Sequence, residues 1–268
     1  MGLENNRIVK KFAALRAAGK QTLLPFITAG YPNLETTAAV LRELDGAGVG
    51  VCELGIPFTD PVADGPVIQA SFTAALAAGV TTRGIFDVVR QFRRAGGELP
   101  LAAMVSYSII FRHGVETFVN EAAEAGLDGL IVPDLPLDES AELERFAAGG
   151  GLALVLLIAP TTPAERRLEI ARHSRGFIYY ISVAGITGER TALPEQTLAA
   201  VAELRRHTDT PVCVGFGISN ATTVREVWRA ADGAIVGSAI VKRMEEHAGA
   251  TPQEIAGVVG KFVRELMA

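Results

Sequence analysis

The chain has few of the residues that build metal, redox or nucleic-acid centres. Only two of its 268 residues are cysteine, Cys52 and Cys213, and only four are histidine: His113, His173, His207 and His247. Both cysteines lie inside apolar runs, where they read as small buried hydrophobes rather than as a disulfide framework or a metal cluster. The histidines show no paired ligand spacing, so no metal is expected. Excess positive charge is absent too. The 25 Lys and Arg against 30 Asp and Glu leave a net charge of −5, with no basic stripe, which argues against a nucleic-acid partner. No apolar run is long enough to span a bilayer. The opening MGLENNRIVKKF lacks the apolar core of a secretory leader, and Asn6 stands where a myristoylation signal carries Ser or Thr. A cytoplasmic protein with no membrane partner is expected.

What the chain does have is apolar residues, 49% of the total, with 21% charged, which excludes extensive disorder. Eight short apolar runs recur, at 23–28, 49–54, 101–106, 129–132, 152–158, 177–182, 211–215 and 233–236. They are nearly continuous rather than alternating, as in parallel strands buried on both faces. Amphipathic stretches separate them, at 34–46, 115–126, 137–148, 163–173, 194–207 and 219–230. The longest gap has room for an extra helix at 82–95. A further helix at 4–18 precedes the first strand, and 252–267 closes the chain. Eight strand-then-helix units without a linker predict an α/β fold: a (β/α)8 TIM barrel spanning 1–268 as a single domain, with an extra N-terminal helix and additional helices. The competitor is a doubly wound sheet, which would normally show fewer strands and an early GxGxxG turn that this chain lacks.

In such a barrel the active site lies at the C-terminal ends of the strands. The residues ending the runs are Thr28, Glu53, Tyr107, Asp134, Tyr179 and the 215–217 segment. Glu53 ends the second run among apolar neighbours, a setting that raises a carboxyl pKa and suits general acid/base work. The bland alternative is a carboxylate paired with an arginine. A proline-stiffened loop follows and carries Asp60 and Asp64, the latter eleven residues beyond Glu53. Asp60, before Pro61, is most simply a turn former. Asp64 is either a second acid aimed at the substrate or a turn residue. No lysine lies in the eight runs, so a Schiff-base mechanism is poorly supported. After the seventh and eighth runs come Gly215-Phe-Gly-Ile-Ser219 and Val236-Gly-Ser-Ala-Ile-Val241. Barrels commonly bind phosphate there, with glycine admitting close backbone approach and helix N–H groups facing the anion. Gly217, Gly237 and Ser238 are the candidate donors, and the alternative is glycine serving only tight turns. Gly185-Ile-Thr-Gly188 lies adjacent. A neutral glycine-rich pocket suits a phosphate monoester rather than a whole nucleotide.

Phe26-Ile-Thr-Ala-Gly-Tyr-Pro32, Glu53-Leu-Gly-Ile-Pro-Phe-Thr-Asp-Pro-Val-Ala-Asp-Gly-Pro66, Pro133-Asp-Leu-Pro136, Ala159-Pro-Thr-Thr162, Gly185-Ile-Thr-Gly188 and Gly215-Phe-Gly-Ile-Ser219 together resemble the tryptophan synthase alpha subunit family. The resemblance runs in order along essentially the whole chain. It implies a lyase of tryptophan biosynthesis that needs no cofactor. The reaction is retro-aldol cleavage of indole-3-glycerol phosphate to indole and glyceraldehyde 3-phosphate, in an αββα heterotetramer whose beta subunits consume the indole. By motif, Glu53 matches the family's acid/base and Asp64 the aspartate near the indole nitrogen. Tyr179 and Thr187 match supporting residues. Gly188, Gly217, Gly237 and Ser238 match the phosphate ring, and Phe26, Val105, Ile131 and Phe216 an indole pocket. Two departures stand out: Ile109-Ile110 where the family often has Asn-Pro, in a stretch facing the beta subunit, and Val183 where some members carry a basic residue. Two other readings use the same barrel: a stand-alone lyase releasing free indole, and a phosphate-binding barrel kept mainly as an activating partner. Intact Glu53 and Asp64 argue against the last.

Overall fold

Eight short buried strands close on themselves. The computed structural model describes residues 3–61, 64–182, 195–215 and 217–268. Its strands are β1 (Thr22–Thr28), β2 (Cys52–Gly55), β3 (Leu101–Met104), β4 (Gly129–Ile131), β5 (Ala153–Ile158), β6 (Ile178–Ile181), β7 (Val212–Gly215) and β8 (Gly233–Val236). Every neighbouring pair is parallel, and β8 returns to β1 to complete a closed barrel in chain order. Each strand falls on one of the eight apolar runs, and closure leaves no edge for another chain to extend.

Alternation along each strand sorts the side chains. Cys52 and Leu54 pack outward into the large core between barrel and helices, whereas Leu24, Val51, Ala102, Ile131, Val155, Tyr179, Cys213 and Ile235 form a separate buried cluster inside the barrel. Helix α1 (Arg7–Ala17) closes the barrel's N-terminal end by adding Ile8 and Phe12 to that inner cluster; the Phe12 and Phe177 rings are 5.8 Å apart. Asn6 starts α1, accepting from the amide of Ile8 at 3.0 Å, and its side chain donates to the Asp128 carbonyl at 2.6 Å. The plug is therefore sewn to the sheet.

The outer helices are α2 (Leu34–Ala47), α3 (Pro66–Ala77), α4 (Thr82–Arg94), α5 (Tyr107–His113), α6 (Val115–Ala125), α7 (Ala141–Gly149), α8 (Ala164–His173), α9 (Glu195–Arg205), α10 (Ala221–Trp228), α11 (Ser238–Glu246) and α12 (Pro252–Met267). Three of them, α3, α5 and α11, are not foreseen by amphipathic spacing. Helix α3 opens with proline at its first position, where the missing N–H costs nothing, and its Ala-rich stretch has little polar face. Helix α5 has only seven residues. The stretch expected as one helix from 137 to 148 is instead a 3₁₀ turn, Leu137–Glu139, followed by α7. Among the described residues no single helix is long and apolar enough to cross a membrane.

Candidate active site

At the C-terminal end of the barrel lies a cavity of about 770 Å³. It draws side chains from strand ends, from the loop after β2, and from α3, α5 and α11. Because Cys52 and Leu54 face outward, Glu53 between them faces in. It shares this parity with Ile131, Tyr179 and Ile235, so alternate strands β2, β4, β6 and β8 supply one layer, the usual arrangement in such barrels. Glu53 is 0% exposed, and neither carboxyl oxygen has a hydrogen-bond partner among the described residues. The arginine pairing is thus not realised. Burial holds this carboxyl well above the ordinary glutamate range, because an unpaired carboxylate in apolar surroundings loses hydration without compensation.

Phe26, in register with Glu53 across β1 and β2, lines the cavity, and so does Tyr179. Glu53 therefore lies immediately beneath the cavity floor. Burial raises the Tyr179 hydroxyl, and the negative charges of Glu53 and then Asp64 raise it further, so all three groups fall within electrostatic reach. A Cβ at position 215 would sit 2.5 Å from the Tyr179 hydroxyl oxygen. Glycine there makes room for the phenol.

Asp64 lines the cavity on the loop after β2. Partial burial raises its carboxyl to about 6, which leaves it mostly ionised at neutral pH. Two carboxyl groups beside one cavity are thus both shifted upward by removal from water, Glu53 being the more deeply buried of the two. Asp60 also lines the cavity, with its carboxylate accepting from Thr59 at 3.0 Å.

Gly217, Gly237 and Ser238 also line the cavity. Gly217 has φ +82°, the left-handed region that favours glycine. Helix α11 starts at Ser238 with no side-chain cap bond, and Ser238 and Ala239 at its start line the cavity, where uncapped helix N–H groups suit an anion. A Cβ at position 237 would meet Phe26 and Ile68 only at ordinary contact distances of 3.5 and 3.7 Å; larger side chains would protrude into the cavity. No lysine lines the cavity among the described residues.

Of the expected indole-pocket residues, Phe26 and Val105 line the cavity. Ile131 does not: although it shares a layer with Tyr179 and Ile235, it is wholly buried in the inner cluster. Thr187, Gly188 and Phe216 lie outside the described residues. Thr28 and Asp134 have structural partners. The Thr28 and Ser71 hydroxyls are 2.6 Å apart, tying β1 to α3. Asp134 accepts from the Ser106 hydroxyl at 2.7 Å and the Tyr107 amide at 2.8 Å, capping α5. Sequence reasoning missed Met104, Leu157, Ile181 and Ile235, which strand parity counted from Glu53 would have found, and Ile68 and Phe72, which came with the unforeseen α3.

A family model described as tryptophan synthase alpha chain matches residues 12–266. The tryptophan synthase alpha chain of Prochlorococcus marinus is 48% identical over 263 residues, covering 97% of this chain and 93% of the relative. The solved tryptophan synthase subunit alpha of Legionella pneumophila superposes with a TM-score of 0.88 at 36% identity, covering 98% of each chain. A chain of the tryptophan synthase complex of Pyrococcus furiosus superposes with a TM-score of 0.83 at 36% identity, covering 92% of this chain and 97% of that one.

Proposed function

The chain belongs to the tryptophan synthase alpha chain family, and from that premise we propose how its cavity cleaves indole-3-glycerol phosphate to indole and glyceraldehyde 3-phosphate. The observation that carries the reading is the pairing of a wholly buried, unpartnered Glu53 with a partly buried Asp64 beside one apolar cavity. The phosphate sits against Gly217, Gly237, Ser238 and the start of α11, with Gly188 closing the ring. The indole lies in the apolar slot between Phe26, Val105 and the strand-end residues, with Phe216 beside it. Protonated Glu53, freed from the floor by rotation of its side chain, gives its proton to indole C3. The ring becomes a cationic indolenine whose N–H donates to ionised Asp64, a fixed negative charge placed where positive charge develops. Glu53, now a carboxylate, takes the proton from the glycerol hydroxyl on the carbon bonded to C3. The carbon–carbon bond breaks, its electron pair restores the aromatic ring, and the hydroxyl carbon becomes the aldehyde. Glu53 ends protonated, as it began. Tyr179 borders both acids, and Thr187 supports Asp64.

The chain works as a single barrel domain over 1–268, in the cytoplasm, within an αββα complex whose beta subunits take up the indole. Indole release from indole-3-glycerol phosphate, measured alone and with a beta subunit, tests this. Weak activity alone and a gain of about tenfold or more, worth about 1.4 kcal/mol, is the expected outcome. Full activity without the partner would favour a stand-alone lyase, and no cleavage in either case would leave only an activating barrel.

A further inference from the structure

Asp64 must hold a carboxylate at one point in space, yet it stands on a loop. The stretch after β2 is attached to α3 at two places. At its start, the Phe58 ring lies 5.6 Å from that of Phe72, with the planes inclined at 60°; Phe72 is 1% exposed and belongs to α3. At its end, the Gln69 side-chain nitrogen donates to the Pro61 carbonyl at 3.2 Å and to the Asp64 carbonyl at 2.7 Å. The Asp64 amide itself donates to the Pro61 carbonyl at 3.0 Å, and the Gln69 amide to that of Gly65 at 3.0 Å. A primary amide has two hydrogens, and here both go to carbonyls that bracket the acid-bearing turn. The Gln69 side chain is solvent-exposed at these bonds, so packing does not account for its geometry.

We propose that Gln69 is a positioning residue for Asp64: its amide clamps the turn from Pro61 to Asp64 onto the first turn of α3, so that the carboxylate is already aimed into the cavity before substrate arrives. The Phe58 contact with Phe72 is the second attachment of the same loop. This rests on the role given to Asp64 above. The gain is one of orientation, since a misplacement on the order of 1 Å can cost about 10²-fold in rate. The two Gln69 bonds go to Pro61 and Asp64 and not to Gly217, Gly237 or Ser238, so binding of the phosphate end should be untouched.

The test is a double-mutant cycle between Gln69 and Asp64 in the full chain with its beta subunit. Gln69→Met keeps the length and removes both donors, and at an exposed position it leaves stability essentially unchanged. The expected result is a kcat for indole release lowered about tenfold or more, with unchanged Kd for glycerol phosphate. Gln69→Glu, which also lacks the donors, should behave alike. In an Asp64→Ala background Gln69→Met should then have no further effect. Full kcat in Gln69→Met, or the same loss with and without Asp64, would overturn the proposal. Asp64→Ala by itself tests the underlying reading: if that variant kept full kcat, Asp64 would have no role in the reaction, and any loss in Gln69→Met would have to act elsewhere, which also overturns the clamp.

Discussion

Replacing Glu53 with glutamine should make the protein more stable, and more so as the pH rises. In the folded chain the carboxyl is 0% exposed with both oxygens unpartnered among the described residues, and burial lifts its pKa well above the ordinary glutamate value. For an acid whose pKa is raised by folding, its contribution to stability is intact below the unfolded value and is lost as pH rises toward the folded value. In that window the folded state holds one proton more than the unfolded state, so stability falls by about 1.36 kcal/mol per pH unit. The difference therefore accumulates across the whole interval between the unfolded and the folded value. Glutamine has nearly the same shape and does not titrate. The assay is urea unfolding of wild type and Glu53→Gln at several values from about pH 5 to about pH 8, taking the difference so that all other groups cancel. The variant should gain steadily on the wild type. Parallel stability curves would refute the reasoning, because Glu53 would then titrate like an exposed glutamate.

Asp64→Asn should remove the acidic limb of the pH profile of kcat/KM. In the wild type that limb should lie near pH 6, since ionised Asp64 is the proposed active form and burial raises its carboxyl to about 6; a limb that persists in the variant would assign it to another group. Gly237→Val should raise the KM for indole-3-glycerol phosphate and weaken glycerol phosphate binding, since its methyl groups would extend past the space beside Phe26 and Ile68. Isothermal titration with glycerol phosphate checks this, and equal affinity in both proteins would remove Gly237 from the phosphate wall.

The barrel was legible because a parallel strand covered on both faces needs apolar residues at every position, and eight such runs are hard to arrange otherwise. Glu53 was legible for the complementary reason: a carboxylate ending one of those runs has no ordinary place in a core. Hydrophobic spacing was silent on α3 and α5, because an Ala-rich helix opening with Pro66 and a seven-residue helix carry little periodicity. With α3 went Ile68, Phe72 and Gln69, and with them the account of how Asp64 is held. Ile131 stands on the inner face and in the same layer as Tyr179 and Ile235, yet it is wholly buried and does not line the cavity; which members of a layer reach the open space depends on their neighbours across the closed barrel, and no single run records that.

In the proposed mechanism buried Glu53 moves the proton in both directions. Single-turnover indole formation from indole-3-glycerol phosphate, followed for wild type and Glu53→Gln in complex with the beta subunit, tests it most directly. A positioned acid/base contributes about 10²–10⁴-fold, so the variant should form indole at least about a hundredfold more slowly while binding glycerol phosphate normally. A variant that kept more than about a tenth of the wild-type rate would contradict the account, since the loss expected of a missing acid/base would then be absent.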